Sequence, residues 1–276
     1  MTLRLRCTVR GCGLDLACSE AVARCARGHA FDRARDGYWS RLQPQDRRRS
    51  AAGARDVATA ARAAWLARGF ASGLLAAMRE ESDALRLPPG SAAIDIGCGD
   101  GAITAAVLGD RGLEVCGIDL ATHAIRRAAR AHPALTWVVA NADRALPLAD
   151  HSSALALSIF GRRPAGEMRR VLDRSGTAIL VLPGEDDLIE LRGLVQGEKL
   201  RRDRVDEALA ALSPAFSLVR RRSWRSMALH DRDALSEALA MTYRGARRAE
   251  RARLGEAASL TVTLSAEILV LRPAFA

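Results

Sequence analysis

The sequence predicts an α/β fold built on a mainly parallel, doubly wound sheet and preceded by a small Cys-rich module. Three observations lead there. After Gly90, apolar segments of strand length alternate with helical ones. The first of those strands runs into a glycine-rich loop, residues 95–101, that opens a helix. Ahead of them, four of the six cysteines fall within the first 25 residues, in a segment of different composition.

The elements follow in order. From Cys7 to about Leu42 the chain is rich in Cys and Gly and has few periodic apolar positions. Residues 43–55 are polar and basic, contain Arg47-Arg48-Arg49, and read as a linker. From Val57 onward Ala, Leu and Trp65 recur at helical spacing, which predicts two amphipathic helices closed by Pro88-Pro89. Strands are predicted over 92–96, 114–118, 136–139, 154–160 and 178–182, with helices over 103–108, 121–131 and 165–172 between them. The tail differs: residues 216–219 with 222–227, a helix near 231–241 and a long strand over 260–271 suit a terminal antiparallel pair. The expected division is a metal module over 1–45, a linker with packing helices over 46–90, and the main domain over 91–276.

Composition narrows the class. With 49% hydrophobic residues the chain can bury a core without disulfides, and its apolar runs are only strand-sized, so no membrane span is expected. Residues 1–10 have neither an apolar stretch nor a small-residue cleavage site, so a cytoplasmic protein without a secretory signal is expected. A net charge of +10 favours a polyanionic partner. The choice of Arg carries less weight, because Lys199 is the only Lys in an Ala-rich chain whose bias composition alone can explain.

Two constellations carry chemistry. Cys7-x4-Cys12-x12-Cys25-x3-His29 offers three thiolates and an imidazole, the donor set of a closed tetrahedral Zn²⁺ site, with turns at Gly11-Cys12-Gly13 and Gly28-His29. Cys18 blurs the assignment, and buried metal-free thiols remain the competing reading. The second is Asp95-Ile96-Gly97-Cys98-Gly99-Asp100-Gly101, whose glycines let the backbone turn sharply toward a ligand at a helix N-terminus. Asp119, followed by Leu120, ends the next strand about 20 residues on, where a carboxylate accepts from ribose hydroxyls. Dinucleotides and S-adenosylmethionine both use such a carboxylate. The loop here reads G-x-G-x-G, and Asp100 repels a pyrophosphate but tolerates a cationic amino-acid end, which favours S-adenosylmethionine. Asn141-Ala142-Asp143 after the third strand is placed to meet an adenine amino group. A structural turn in another kind of α/β enzyme stays open as the alternative.

Together the two signals resemble the 23S ribosomal RNA (guanine-N1)-methyltransferases, a family that includes macrolide-resistance members. The resemblance is carried by Cys25-x-x-Gly28-His29-x-Phe31-Asp32-x-Ala34-x-x-Gly37-Tyr38 and by the glycine loop. Further matches are Leu146-Pro147, Glu167-x-x-Arg170-Val171-Leu172, Pro183-Gly184, Leu188-x-Glu190-Leu191 and Met241-Thr242. It implies a Rossmann-like, seven-stranded S-adenosylmethionine-dependent methyltransferase fold with an N-terminal zinc module. The implied partner is a 23S rRNA hairpin, and a homodimer is compatible with it.

The departures cluster around the cofactor and the target base. Gly69-Phe70-Ala71 stands where the family has Gly-x-Tyr, so Phe70 is the stand-in at the cofactor. Asp187 replaces the family's His, Phe160-Gly161-Arg162 replaces aromatic-Ala-Pro, Ala154 replaces an Asp, and the first Cys pair is two residues wider. Guanine N1 carries a proton, so a nearby carboxylate is expected to act as base, with Asp187 or Asp186 as the candidates. Phe160 is the candidate to stack on a flipped base, and Arg47, Arg48, Arg49, Arg162, Arg163, Arg169 and Arg170 are candidates for phosphate contacts. A non-catalytic RNA-binding homologue and a small-molecule methyltransferase are the competing readings.

Overall fold

The computed structural model describes residues 3–42, 52–197, 199–242, 254 and 257–274. The expected linker cluster Arg47-Arg48-Arg49 and the boundary at residue 45 lie outside them. Three short strands, β1 (Ala17–Cys18), β2 (Val22–Arg24) and β3 (Ala30–Asp32), form a small antiparallel sheet, and β4 (Trp39–Ser40) follows. The two expected helices are α1 (Ala52–Ala67) and α2 (Ser72–Asp83). The alternating region gives β5 (Ala92–Ile96), α3 (Ala102–Leu108), β6 (Glu114–Asp119), α4 (Thr122–Ala131), β7 (Thr136–Val139), β8 (Ser153–Ile159), α5 (Ala165–Val171) and β9 (Leu172–Pro183). The remainder is α6 (Ile189–Gln196), α7 (Val205–Leu212), β10 (Phe216–Asp231), α8 (Arg232–Ala240) and β11 (Ser259–Pro273).

The main sheet runs β10-β11-β9-β8-β5-β6-β7-β4. Strands β7, β6, β5, β8 and β9 are parallel, and β11 and β10 add antiparallel, as the sequence pattern requires. Side chains alternate between two cores at the period of a strand. Ala178, Leu180 and Leu182 of β9 face α5 and α7, whereas Ile179 and Val181 face α2 and α3.

Seven strands are those expected, and the structure adds an eighth. The two residues of β4 pair parallel with β7, and Leu5, Ala23 and Trp39 join the main core, so the N-terminal module is docked onto the sheet edge. The edge of β7 would otherwise present unpaired backbone groups.

The tail also differs from expectation. The two pieces expected over 216–219 and 222–227 are one strand, β10, with an irregularity between Leu218 and Arg220. Its Arg run does not break it, because neighbouring arginines find acidic partners: Arg220 pairs with Glu81, Arg222 with Glu80, and Arg221 with Glu267. Only residues 266–271 of β11 pair with β9, so the rest of the antiparallel β10–β11 pair overhangs the C-terminal edge of the parallel strands. Helices α1, α6 and α8 pack against this overhang around Trp65, Leu191, Leu235, Val262 and Leu264. A chamber is thereby built over the edge where α/β proteins bind ligands.

Candidate active site and metal centre

The sheet order reverses at β5, and the loops after β5 and β8 flank that switch point. Gly97 and Gly99 take positive φ there. A Cβ on Gly97 would sit 3.6 Å from Gly161 of the loop after β8, so the two loops nearly touch. Asp119 fastens the arrangement: its Oδ2 accepts from the Gly99 N–H at 2.9 Å and its Oδ1 from the Ala121 N–H at 2.8 Å. Asp95 lies beneath, 1% exposed, accepting from Thr104 Oγ1 at 2.5 Å while its Oδ1 has no partner among the described residues. Burial pushes its carboxyl up to about 7. An orphaned carboxylate oxygen under a glycine loop fits a ligand that brings a cationic ammonium group.

Two of the expected loop contacts are reassigned. A Cβ on Gly101 would overlap the Trp137 ring, as would one on Gly117, so Gly101 is required by packing as well as by its positive φ. The Cys98 side chain is buried beside the same Trp with Tyr38 and Ile125, so only its backbone is available to a ligand. Asp100 is nearly buried and meets the Ala102 N–H; Leu120 and Ala142 are half-buried at the neighbouring strand ends. Asp143 is ion-paired with Arg162, which closes the loop after β7 onto the loop after β8.

Beside this compartment lies a cavity of about 570 Å³, walled by apolar side chains of α1, α2, α6, α8 and the β10–β11 overhang. Phe160 and Asp187 line it, and so do Arg62, Arg192, Arg202 and Arg204. Arg62 belongs to both compartments, because its Nη1 would be 3.3 Å from a Cβ on Gly99. Phe160 holds a left-handed φ of 52° and is 42% exposed, a strained placement for a bulky residue at a cavity mouth. Asp187 accepts from the Ser265 N–H at 3.0 Å, and burial pushes its carboxyl up to about 6.

Asp186, in the loop after β9, and Phe70, before α2, do not line the cavity. Asp186 is held by Ser265 Oγ at 2.6 Å and Arg225 Nε at 3.0 Å. Those two partners lower its pKa against the effect of burial. Phe70 stacks on His230 at 4.0 Å, and its neighbour Ala71 reaches the cavity instead. His230 also accepts from the Trp65 indole N–H at 3.0 Å, which makes it a neutral ring with its proton on Nδ1 toward the Ala228 carbonyl, and fixes Trp65 as a cavity wall. Of the arginines assigned to phosphates, Arg170 is used internally, by Glu167, Asp150 and the carbonyls of Leu146 and Leu148. Arg163 and Arg169 donate to backbone carbonyls at 3.4 Å. Sequence reasoning missed Arg62, one helical turn before Trp65, and Trp224, because their partners lie far away in the chain.

In the N-terminal module, ligand atoms of Cys7, Cys12, Cys25 and His29 lie within 4.8 Å of one another. Gly11 and Gly28, both at positive φ, turn the chain immediately before Cys12 and His29. Cys12 Sγ is 3.8 Å from Cys25 Sγ, and His29 Nδ1 is 3.5 Å from Cys7 Sγ and 3.4 Å from Cys25 Sγ. A Zn²⁺ tetrahedron with ordinary bond lengths has S···S edges of about 3.8 Å and S···N edges of about 3.6 Å. Cys18 is exposed and outside the cluster.

A methyltransferase-domain family model matches residues 93–176. The fold is that of a candidate methyltransferase from Bacillus halodurans C-125, with a TM-score of 0.53 at 12% identity over 72% of this chain and 97% of that one. Over 206 residues the chain is 32% identical to a candidate 23S rRNA (guanine-N1)-methyltransferase of Bacillus subtilis, covering 71% of this chain and 70% of the relative. It is 36% identical over 244 residues to the 23S rRNA (guanine(748)-N(1))-methyltransferase of Streptomyces fradiae, covering 86% of this chain and 84% of the relative. With its glycine loop, Asp119 and cysteine–histidine cluster in place, the chain belongs to the 23S rRNA (guanine-N1)-methyltransferase family.

Proposed function

We propose that this chain methylates N1 of a guanine in a 23S rRNA hairpin, using S-adenosylmethionine as donor and a structural zinc ion in the N-terminal module. The observation that carries the reading is the pair of adjoining compartments, a glycine-loop site and an apolar cavity that holds Asp187 and a set of arginines. S-adenosylmethionine supplies an electrophilic methyl group on a cationic sulfur. Gly97 and Gly99 would let the backbone approach the donor, with Asp95 to hold its ammonium and Asp119 its ribose. The acceptor base enters the cavity with Phe160 against its face. Asp187 takes the N1 proton as N1 forms the bond to the methyl carbon and the carbon–sulfur bond breaks. Arg62, Arg202 and Arg204 line the cavity, Arg62 acting on the charge of Asp95 and Arg204 on that of Asp187, and their guanidinium groups suit phosphates. No described helix is long and apolar enough to cross a membrane, and the cytoplasm, where thiols stay reduced, suits both the substrate and the thiolate ligands.

The test is methyl transfer by the full chain to a 23S rRNA hairpin fragment, with the product nucleoside identified by mass spectrometry. N1-methylguanosine is expected, with binding that weakens steeply as salt rises. Donor binding by calorimetry without any RNA methylation would favour the non-catalytic RNA-binding reading, and methylation of small molecules alone would favour the third. Asp119→Ala should weaken donor binding about ten- to a hundredfold, the worth of a charge-assisted hydrogen-bond pair, and calorimetry reads it directly. Unchanged donor affinity would move the ribose elsewhere.

A further inference from the structure

Arg41 follows β4 and is completely buried, and none of its three guanidinium nitrogens has a hydrogen-bond partner among the described residues. Its backbone ties the module to the sheet. The Arg41 N–H donates to the Val139 carbonyl of β7 at 2.8 Å, and its carbonyl accepts from Thr8 Oγ1, next to Cys7, at 3.2 Å. The guanidinium lies 4.2 Å from the Phe31 ring centroid and 5.3 Å from that of Trp39. Aromatic faces offset part of the cost of burying a cation, but a buried guanidinium without an anion is a strongly unfavourable arrangement. Among the described residues, the groups that act on its charge, apart from burial itself, are the thiols of Cys18, Cys7 and Cys116, and none of these is a carboxylate. Of these only Cys7 belongs to the metal cluster, and burial pushes Cys116 up to about 12, which keeps it a neutral thiol.

We infer that Arg41 is the counter-ion of the loaded metal centre, a positioning residue that couples metal occupancy to docking of the N-terminal module on β7. The inference rests on the zinc reading above. Three thiolates and a neutral imidazole around Zn²⁺ leave a net charge of minus one, which the guanidinium neutralises across the joint. Without the metal the same guanidinium is a buried charge with no anion among the described residues, so the joint is held less tightly. Phe31, Trp39 and Arg41 form the face through which the module meets the sheet. On this account Phe31 serves as the platform for the cation.

The full chain, Arg41→Met and Arg41→Lys are compared by elemental analysis, by zinc affinity in competition with a chromophoric chelator, and by thermal unfolding with and without zinc. The parent should carry one zinc per chain. Arg41→Met should bind zinc about 10–100-fold more weakly, as loss of an outer partner of a metal site does, while Arg41→Lys keeps most of the affinity. The sign inverts in the metal-free protein, where Arg41→Met should melt above the parent because it removes an unpaired buried charge. A merely structural role for Arg41 would lower both melting points. Should the Met variant fail to fold, Arg41→Gln, which drops the charge and keeps much of the shape, gives the same comparison. Parental zinc affinity in the neutral variant, or equal losses in the Lys and neutral variants, overturns the counter-ion role while leaving the zinc reading intact. Absence of zinc from the parent overturns the zinc reading itself.

Discussion

Cys25→Ser should release the zinc and undock the N-terminal module, the largest stability effect expected of any single substitution here. Cys25 is buried, closes the cluster against both Cys12 and His29, and starts the turn whose Gly28 N–H donates to its carbonyl at 2.9 Å. Structural zinc contributes about 10–16 kcal/mol of binding free energy in small zinc peptides at neutral pH. Here the loss is smaller, because Leu5, Ala23 and Trp39 also bury themselves in the main core. Zinc content should fall to zero, and near-ultraviolet dichroism should report a loosened Trp39, while the five parallel strands keep their far-ultraviolet signal. Cys18→Ala should change none of this, since Cys18 is exposed, lies outside the metal cluster, and its Sγ meets the Leu16 carbonyl at 3.8 Å. Loss of zinc from Cys18→Ala with retention in Cys12→Ala would defeat the ligand assignment.

What was legible in the sequence follows from range. The parallel strands after Gly90 were readable because each carries an apolar run buried on both faces, and the metal quartet because its ligands come in two local turns. The eighth strand was not, since two residues carry no periodicity and the strand that β4 joins lies far away in the chain. The unity of β10 was hidden by its Arg run, whose acidic partners lie on α2 and β11. Family-like words also changed meaning. Glu167 accepts from the Leu146 N–H and pairs with Arg170, and Glu190 accepts from the Thr263 N–H and hydroxyl, so these matches are braces of the fold. Phe70 and Ala71 are adjacent, and only packing against His230 decides which of them reaches the cavity. The cavity draws its walls from segments between Arg62 and Ser265, a range over which no local pattern can speak.

Asp187→Asn should abolish most turnover and yet stabilise the protein at neutral pH. As the base that removes the N1 proton, a carboxylate in this position contributes about 10²–10⁴-fold to the rate. Asp187 lies in the cavity and away from the glycine loop, so donor affinity should be unchanged. The parent's rate should rise with pH through about 6, where burial has placed the Asp187 carboxyl, and level off above it. The variant should lack that limb. For stability the sign runs the other way from an ion-paired carboxylate. The folded pKa of about 6 lies above the ordinary 3.8, so the folded state holds this proton more tightly than the unfolded chain. The stabilisation is complete below about 3.8 and is lost as pH rises through about 6, leaving a buried anion as a burden at neutral pH. Asn keeps an oxygen for the Ser265 N–H and carries no charge. Its melting point should therefore exceed the parent's at neutral pH, with the gap closing toward pH 4, near the ordinary carboxylate pKa. Single-turnover rates and thermal melts across that range check both halves, and an Asn variant that keeps the parental rate would remove Asp187 from the chemistry.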